Sequence, residues 1–183
     1  MPRIQPLNHA DAQGKAKDLL DTVKKKMGGT PNILTTMAQS PAALESYLNF
    51  SGALGGGTFS AGLREQIAMA AAGANSCEYC AAAHTAIGKG AGVAEGELTK
   101  SLAGEPTDPK AAAAVRLTRV LIEKRGFASD EDIQAFKAAG FDDGQVIELV
   151  ANVALNIFTN YFNHVAETEI DFPKVKVPQL AGA

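Results

Sequence analysis

Tryptophan is absent from this 183-residue chain, and cysteine occurs only twice. Aromatic residues make up 6% of it, too few for the aromatic and β-branched strands of a sheet-rich fold. The opening MPRIQPLNHADAQG has no apolar signal core, so a cytoplasmic protein is expected. No apolar run approaches a membrane span, since the longest are Ala-rich and interrupted by Gly or Asn. Membrane association is therefore not expected. Positive charge is also lacking: 17 Lys and Arg against 20 Asp and Glu leave a net −3, which argues against a nucleic-acid surface. The single basic run, Lys24-Lys25-Lys26, falls where a helix should end, and cations suit the negative end of the helix dipole. Gly55-Gly56-Gly57 lacks the Lys-Ser/Thr ending of a phosphate loop and reads as a hinge. With no lipoyl or flavin motif, no cofactor is expected, and electrons for any redox chemistry must come from a small thiol or a protein partner.

What remains is an Ala-rich chain, 46% apolar, long enough to bury one core. The spacing predicts an all-α single domain over 1–183, with an N-terminal helical arm (1–39), a core (40–170) and a tail (171–183). Ala12, Ala16, Leu19, Leu20 and Val23 share one face of a helix over 9–27, stopped by Gly28-Gly29-Thr30-Pro31. Ser40-Pro41 is a cap with Pro at the first helical position, opening a helix to about Leu54. Helices follow over 61–74 (capped by Ser60), 77–90, 94–102 and 109–125. Ser129-Asp130-Glu131-Asp132 is a capping box, and Asp142 or Asp143 starts a long helix to about Glu167.

Both cysteines lie in one stretch, NSCEYCAAAHTA over 75–86. On a helix, Cys77, Cys80 and His84 stand at i, i+3 and i+7 on one stripe. The two sulfurs can close a disulfide with modest adjustment, and His84 can share a proton with Cys80. Asn75 with Glu78 has capping-box spacing, which would place Cys77 at the second helical position, where free N–H groups favour a thiolate. A thiol of ordinary pKa, about 8.5, is a few per cent ionised at pH 7. Lowering it to about 7 requires a differential interaction of about 2 kcal/mol. If helices 61–74 and 77–90 fold back on each other, Glu65 comes level with about residue 86 and can orient His84. A structural disulfide, a metal site completed by Glu65, His9 or His164, and a pair of inert buried thiols are the alternatives to a redox-active dithiol.

Glu65, Cys77, Cys80 and His84, in the stretch LREQIAMAAAGANSCEYCAAAHTAIGKGAG, resemble the Glu…Cys-x-x-Cys-x-x-x-His pattern of the alkylhydroperoxidase AhpD-like proteins, in the carboxymuconolactone decarboxylase superfamily. ANVALNIFTNYFNHVAETEIDFP resembles the C-terminal helix of their peroxidase-related branch, so the likeness covers about residues 40–173. The resemblance implies a helical homo-oligomer, a trimer or hexamer, and a dithiol that reduces a peroxide or exchanges disulfides with a partner. It implies that Cys80, activated through His84 and Glu65, attacks and Cys77 resolves. Exposure at a helix end would instead make Cys77 the first nucleophile. The well-known peroxidases carry His directly before the second cysteine, where this chain has Tyr79, a poor base. A redox sensor without turnover is the alternative function, and lactone decarboxylation fits a dithiol less well. Asn152, Asn156, Asn160 and His164 recur every fourth residue on the last helix. They read either as hydrogen bonds between helices or at a subunit interface or, for Asn156, Asn160 and His164 with Tyr79, as a pocket lining; Asn163 stands beside them.

Overall fold

A computed structural model describes residues 1–177; the end of the expected tail, residues 178–183, lies outside the described residues. Those described residues form nine helices and no strand. They are α1 (Gly14–Met27), α2 (Asn32–Met37), α3 (Pro41–Gly55), α4 (Ala61–Ala74), α5 (Glu78–Gly90), α6 (Glu95–Ala103), α7 (Pro109–Glu123), α8 (Asp130–Ala138) and α9 (Asp143–Ala166).

The helix starts are written in short side chains. Ser40, Ser60 and Asp108 each accept a hydrogen bond from the backbone N–H three residues on. Ser129 with Asp132 and Asp142 with Gln145 close reciprocal capping boxes. The first helix is shorter than expected. Residues 8–11 form a turn instead, in which Asn8 accepts from Asp11 N through its carbonyl and from Ala10 N through Oδ1, both at 3.0 Å. Such local side-chain bonds compete with the helix and delay it to Gly14.

α4 is the central element, packed on α5, α6, α7 and α9, and every residue from Ile67 to Ala74 is buried. Its small side chains allow close approach. A Cβ at Gly73 would overlap the Leu102 carbonyl of α6, and one at Gly88 of α5 would come within 2.7 Å of Leu98 and 3.3 Å of the Glu65 Cβ. Three apolar clusters surround this axis: one under α7 to α9, one joining α1 to α3, and one enclosing both cysteines. The cysteine cluster is closed by the chain after α9, with Ile170, Phe172 and Val175 against it and Val177 buried. Among the described residues the outer face of α9 is left largely open: Ile147, Val150, Phe158, Tyr161 and Val165 stand exposed along one stripe.

Candidate functional site

The α4–α5 turn decides where the sulfurs go. The expected Asn75–Glu78 capping box does not form. Asn75 ends α4, Ser76 takes a left-handed φ of 52°, and Cys77 is itself the cap of α5, its Sγ accepting from Cys80 N at 3.3 Å. This corrects the expectation that Cys77 occupies the second helical position. Asn75 instead crosses to α9 and donates to Asn160 Oδ1 at 2.8 Å.

Cys77 and Cys80 are free thiols, both buried, with Cys77 donating to Cys80 across 2.6 Å. That hydrogen bond, then burial, then the charge of an ionised Cys80 all hold the proton on Cys77 and push its pKa up. Burial also opposes ionisation of Cys80, but more acts against it there. The bond from Cys77, the charge of His84 and the amides of Asn163 and Asn160 lower Cys80 to about 7. The asymmetry is opposite to the one that exposure at the helix end suggested, because neither sulfur is exposed and the helix N–H is spent on Cys77.

His84 lies one turn beyond Cys80, and its Nδ1 meets Glu65 Oε2 at 2.7 Å. Burial disfavours the imidazolium, yet the Glu65 charge and hydrogen bond outweigh it, so the pKa of His84 is raised. With Nδ1 engaged by the carboxylate, Nε2 is the nitrogen left for proton exchange. Glu65, Cys80 and His84 line one cavity of about 280 Å³, whose other walls include Tyr47, Leu48, Ile87, Thr159 and Phe172. Neither Lys nor Arg lines it. Glu65 and His84 also border a smaller chamber of about 80 Å³ with Arg64 and Asn156.

Cys77 borders a different, more open cavity of about 360 Å³, with Glu78, Asn163 and the exposed His164. Asn160 is fully buried between helices and lines none of these three cavities. The asparagine row thus divides: Asn152 and Asn156 donate to backbone carbonyls one turn back, whereas Asn160 reaches Asn75. Asn163, one step off the row, donates to Cys80 Sγ at 3.2 Å. His9 is paired with Asp21, and among the described residues no group of three His, Cys, Asp or Glu side chains is placed to hold a metal ion.

Tyr79 borders both the Cys80 and the Cys77 cavities. Its hydroxyl donates to Asp171 Oδ1 at 2.8 Å and accepts from Ile33 N at 3.1 Å, and Phe172 packs edge-on against its ring. Burial raises its pKa, as does the bond to Asp171, so it is an anchor for the chain after α9 and no proton acceptor at neutral pH. Tyr79→Phe is expected to cost about 1–2 kcal/mol and to speed hydrogen exchange selectively over 169–177. It should slow any reaction at Cys80 less than about tenfold, because no base is removed. Thermal melts, exchange mass spectrometry and thiol alkylation rates check the three parts.

Residues 41–123 match the carboxymuconolactone decarboxylase family. No curated protein sequence matches the chain. Among solved structures, a peroxidase-related protein with an alkylhydroperoxidase AhpD core from Ralstonia eutropha JMP134 is similar, with a TM-score of 0.84 and 21% identity, over 93% of this chain and 92% of that one. This chain has the AhpD-like fold. A second similar structure is a peroxidase-related protein from Silicibacter sp. TM1040, with a TM-score of 0.77 and 17% identity over 91% of each chain. A third is the debrominase Bmp8 in complex with 2,3,4-tribromopyrrole, with a TM-score of 0.78 and 17% identity, over 92% of this chain and 91% of that one. The expectation of an all-α AhpD-like fold agrees with all three. Among the described residues no helix is long and apolar enough to cross a membrane.

Proposed function

We propose that the protein is a thiol-dependent hydroperoxidase in which Cys80 is the nucleophile, Cys77 resolves, His84 moves the proton and Glu65 orients His84. The observation that carries this reading is the geometry around Cys80: Cys77 and Asn163 both donate to its sulfur, and His84, held by Glu65, stands one turn on. The Cys80 thiolate attacks one oxygen of ROOH, the O–O bond breaks, and RO⁻ leaves as ROH with a proton from the imidazolium of His84. Cys80 is then a sulfenic acid. Cys77 attacks that sulfur, a disulfide forms and water leaves. Two equivalents of an external thiol, small or protein-borne, restore the dithiol and depart as their own disulfide. Peroxide consumption sustained by a dithiol reductant tests the reading. One disulfide per chain formed without turnover would favour a redox sensor instead.

A second reading draws on the walls of the cavity. Tyr47, Tyr79 and Phe172 border it, and among the described residues lining it the one cationic group is the His84 imidazolium, already paired with Glu65. A neutral halogenated aromatic fits such walls, and the debrominase neighbour has the same fold. The Cys80 thiolate would take the halogen, leaving a carbanion that His84 protonates, and Cys77 would displace halide from sulfur to form the disulfide. Halide release from a brominated aromatic, with hydroperoxide left intact, would select this reading. The absence of Lys and Arg counts against a lactone carrying carboxylates.

We also propose that the chain self-associates through α9. Ile147, Val150, Phe158, Tyr161 and Val165, with the exposed Ala154 between them, repeat at three- and four-residue steps over about five turns. A two-fold axis across the helix lays such a stripe on a second copy of itself. Contiguous exposed apolar surface of this kind marks interaction sites. Tyr161→Lys with Ile147→Lys should reduce the mass measured by sedimentation to that of one 19.0 kDa chain. Unchanged mass would remove α9 as the interface.

A further inference from the structure

Three buried polar side-chain atoms have no partner among the described residues; one is Thr168 Oγ1, and the other two belong to Asn160 and Asn163 of α9, which bond Asn75 and Cys80 at the α4–α5 turn. Asn163 Oδ1 and Asn160 Nδ2 are buried and have no hydrogen-bond partner among the described residues. A buried, unpaired amide normally costs stability, so its retention needs a reason. The orientation of both side chains supplies one. Asn75 Nδ2 donates to Asn160 Oδ1, which fixes the Asn160 carboxamide by its oxygen and leaves its NH₂ free as a donor. Asn163 already directs its own NH₂ to Cys80 Sγ. Turning Asn163 over would set a carbonyl oxygen against the same sulfur, which a thiolate would repel. A neutral thiol is a weak acceptor, whereas a thiolate accepts charge-assisted bonds from several donors at once.

We infer that Asn163 and Asn160 form a two-amide donor site for the Cys80 thiolate, with Asn75 as the residue that positions Asn160. The inference rests on the reading that Cys80 reacts as a thiolate. The site serves both halves of the cycle. It holds the attacking thiolate, and it stabilises the same sulfur as leaving group when an external thiol attacks Cys77 in the disulfide; a leaving thiol of low pKa departs faster. It differs from the His84–Glu65 pair because amides carry no proton to lose across the working pH range. Cys80 is thereby kept ionisable in a place where burial opposes its charge.

The ionisable groups around Cys80 are Cys77, Tyr79 and His84 from its own turn and helix, Glu65 from α4, Tyr47 from α3 and Asp171 after α9. A test must therefore isolate the amides. In a Cys77→Ser background, where the serine hydroxyl keeps a donor beside Cys80, the rate of iodoacetamide alkylation against pH reports Cys80 alone. Asn163→Leu should raise the midpoint by about one pH unit, slowing alkylation about tenfold at neutral pH. Asn163→Asp, equal in shape but charged, should raise it further. Asn75→Ala, which only frees Asn160, should raise it less than either. A purely packing role would not order the midpoints by charge. In the unsubstituted chain, the side-chain NH₂ resonances of Asn160 and Asn163 should titrate with Cys80, which requires no variant to fold. Equal midpoints in the folded Leu and Asp variants, or NH₂ resonances that ignore the titration, would overturn the inference. A midpoint that depends on these amides in a protein that consumes no hydroperoxide would retain the amide site and remove the proposed activity. Turnover with a midpoint indifferent to them would do the reverse.

Discussion

Cys80→Ser will consume hydroperoxide at least about a thousandfold more slowly than the unsubstituted protein, a loss of about 4 kcal/mol of transition-state stabilisation. A serine hydroxyl in the same place has no means of ionising near neutral pH, and the amides and His84 that lower Cys80 to about 7 cannot bring an alcohol into that range. Cys77→Ser separates the two halves of the reaction. It keeps one rapid turnover and then stops, with Cys80 held as a sulfenic acid about 16 Da heavier by intact mass. His84→Ala should slow the first step about a hundredfold, the range of general acid–base catalysis. Glu65→Gln should slow it about tenfold, because it leaves the imidazole in place without the charge that raises its pKa. If Cys77→Ser instead shows the full loss and Cys80→Ser the single turnover, the roles are reversed. The raised pKa of Cys77 and the lowered pKa of Cys80 would then not decide which sulfur attacks.

The site was legible in sequence where it depends on periodicity and illegible where it depends on a turn. Glu65 and His84 meet because α4 and α5 fold back on each other, and the distance of nineteen residues between them follows from two helices and a short break. Asn75 misleads for a physical reason. Its side chain is a good local cap, so a reader of short-range rules places it at the start of α5. A buried asparagine on α9 offers it a partner eighty-five residues away, and the long-range bond prevails. With Asn75 withdrawn, the cap position moves on to Cys77.

Asn163 was hidden by a different effect. A row taken every fourth residue drifts about 40° per step on a helix of 3.6 residues, so by the fourth member it no longer faces the core. His164 has drifted to solvent, and Asn163, one residue earlier, has come round to the sulfur. The stretch after α9 carried too little pattern to read as structure. Phe172 and Val177 give it its hold only against Tyr79 and the cysteine cluster, which are distant in sequence. The starts of α3, α4, α7, α8 and α9, by contrast, were legible almost to the residue, since Ser40, Ser60, Asp108, Ser129 and Asp142 act on N–H groups three positions away.

Gly73→Ala will destabilise the protein, against the usual sign of that substitution in a helix. At an open helical position, alanine in place of glycine stabilises by about 1 kcal/mol, by relieving the entropy cost of the glycine backbone. Gly52, in the last turn of α3 with nothing near its absent Cβ, is such a position, and Gly52→Ala should raise the melting temperature by roughly 2–4 °C. At Gly73 the added methyl meets the Leu102 carbonyl oxygen, a backbone atom that no rotamer change can withdraw. Either α6 moves away from α4 or the end of α4 bends. Overpacking costs about 1–3 kcal/mol, and a backbone contact belongs at the upper end of that range. Subtracting the helical gain leaves about 2 kcal/mol of destabilisation, a fall of roughly 4–8 °C for a chain of this size. The strain would fall within two residues of Asn75, so Gly73→Ala should also disturb the bond to Asn160 and shift the pH midpoint of Cys80 upward. Gly52→Ala should leave that midpoint where it is. Scanning calorimetry on the two variants decides the first point. A Gly73→Ala protein that melts higher would mean that α4 and α6 do not approach as closely as their carbonyl and glycine require.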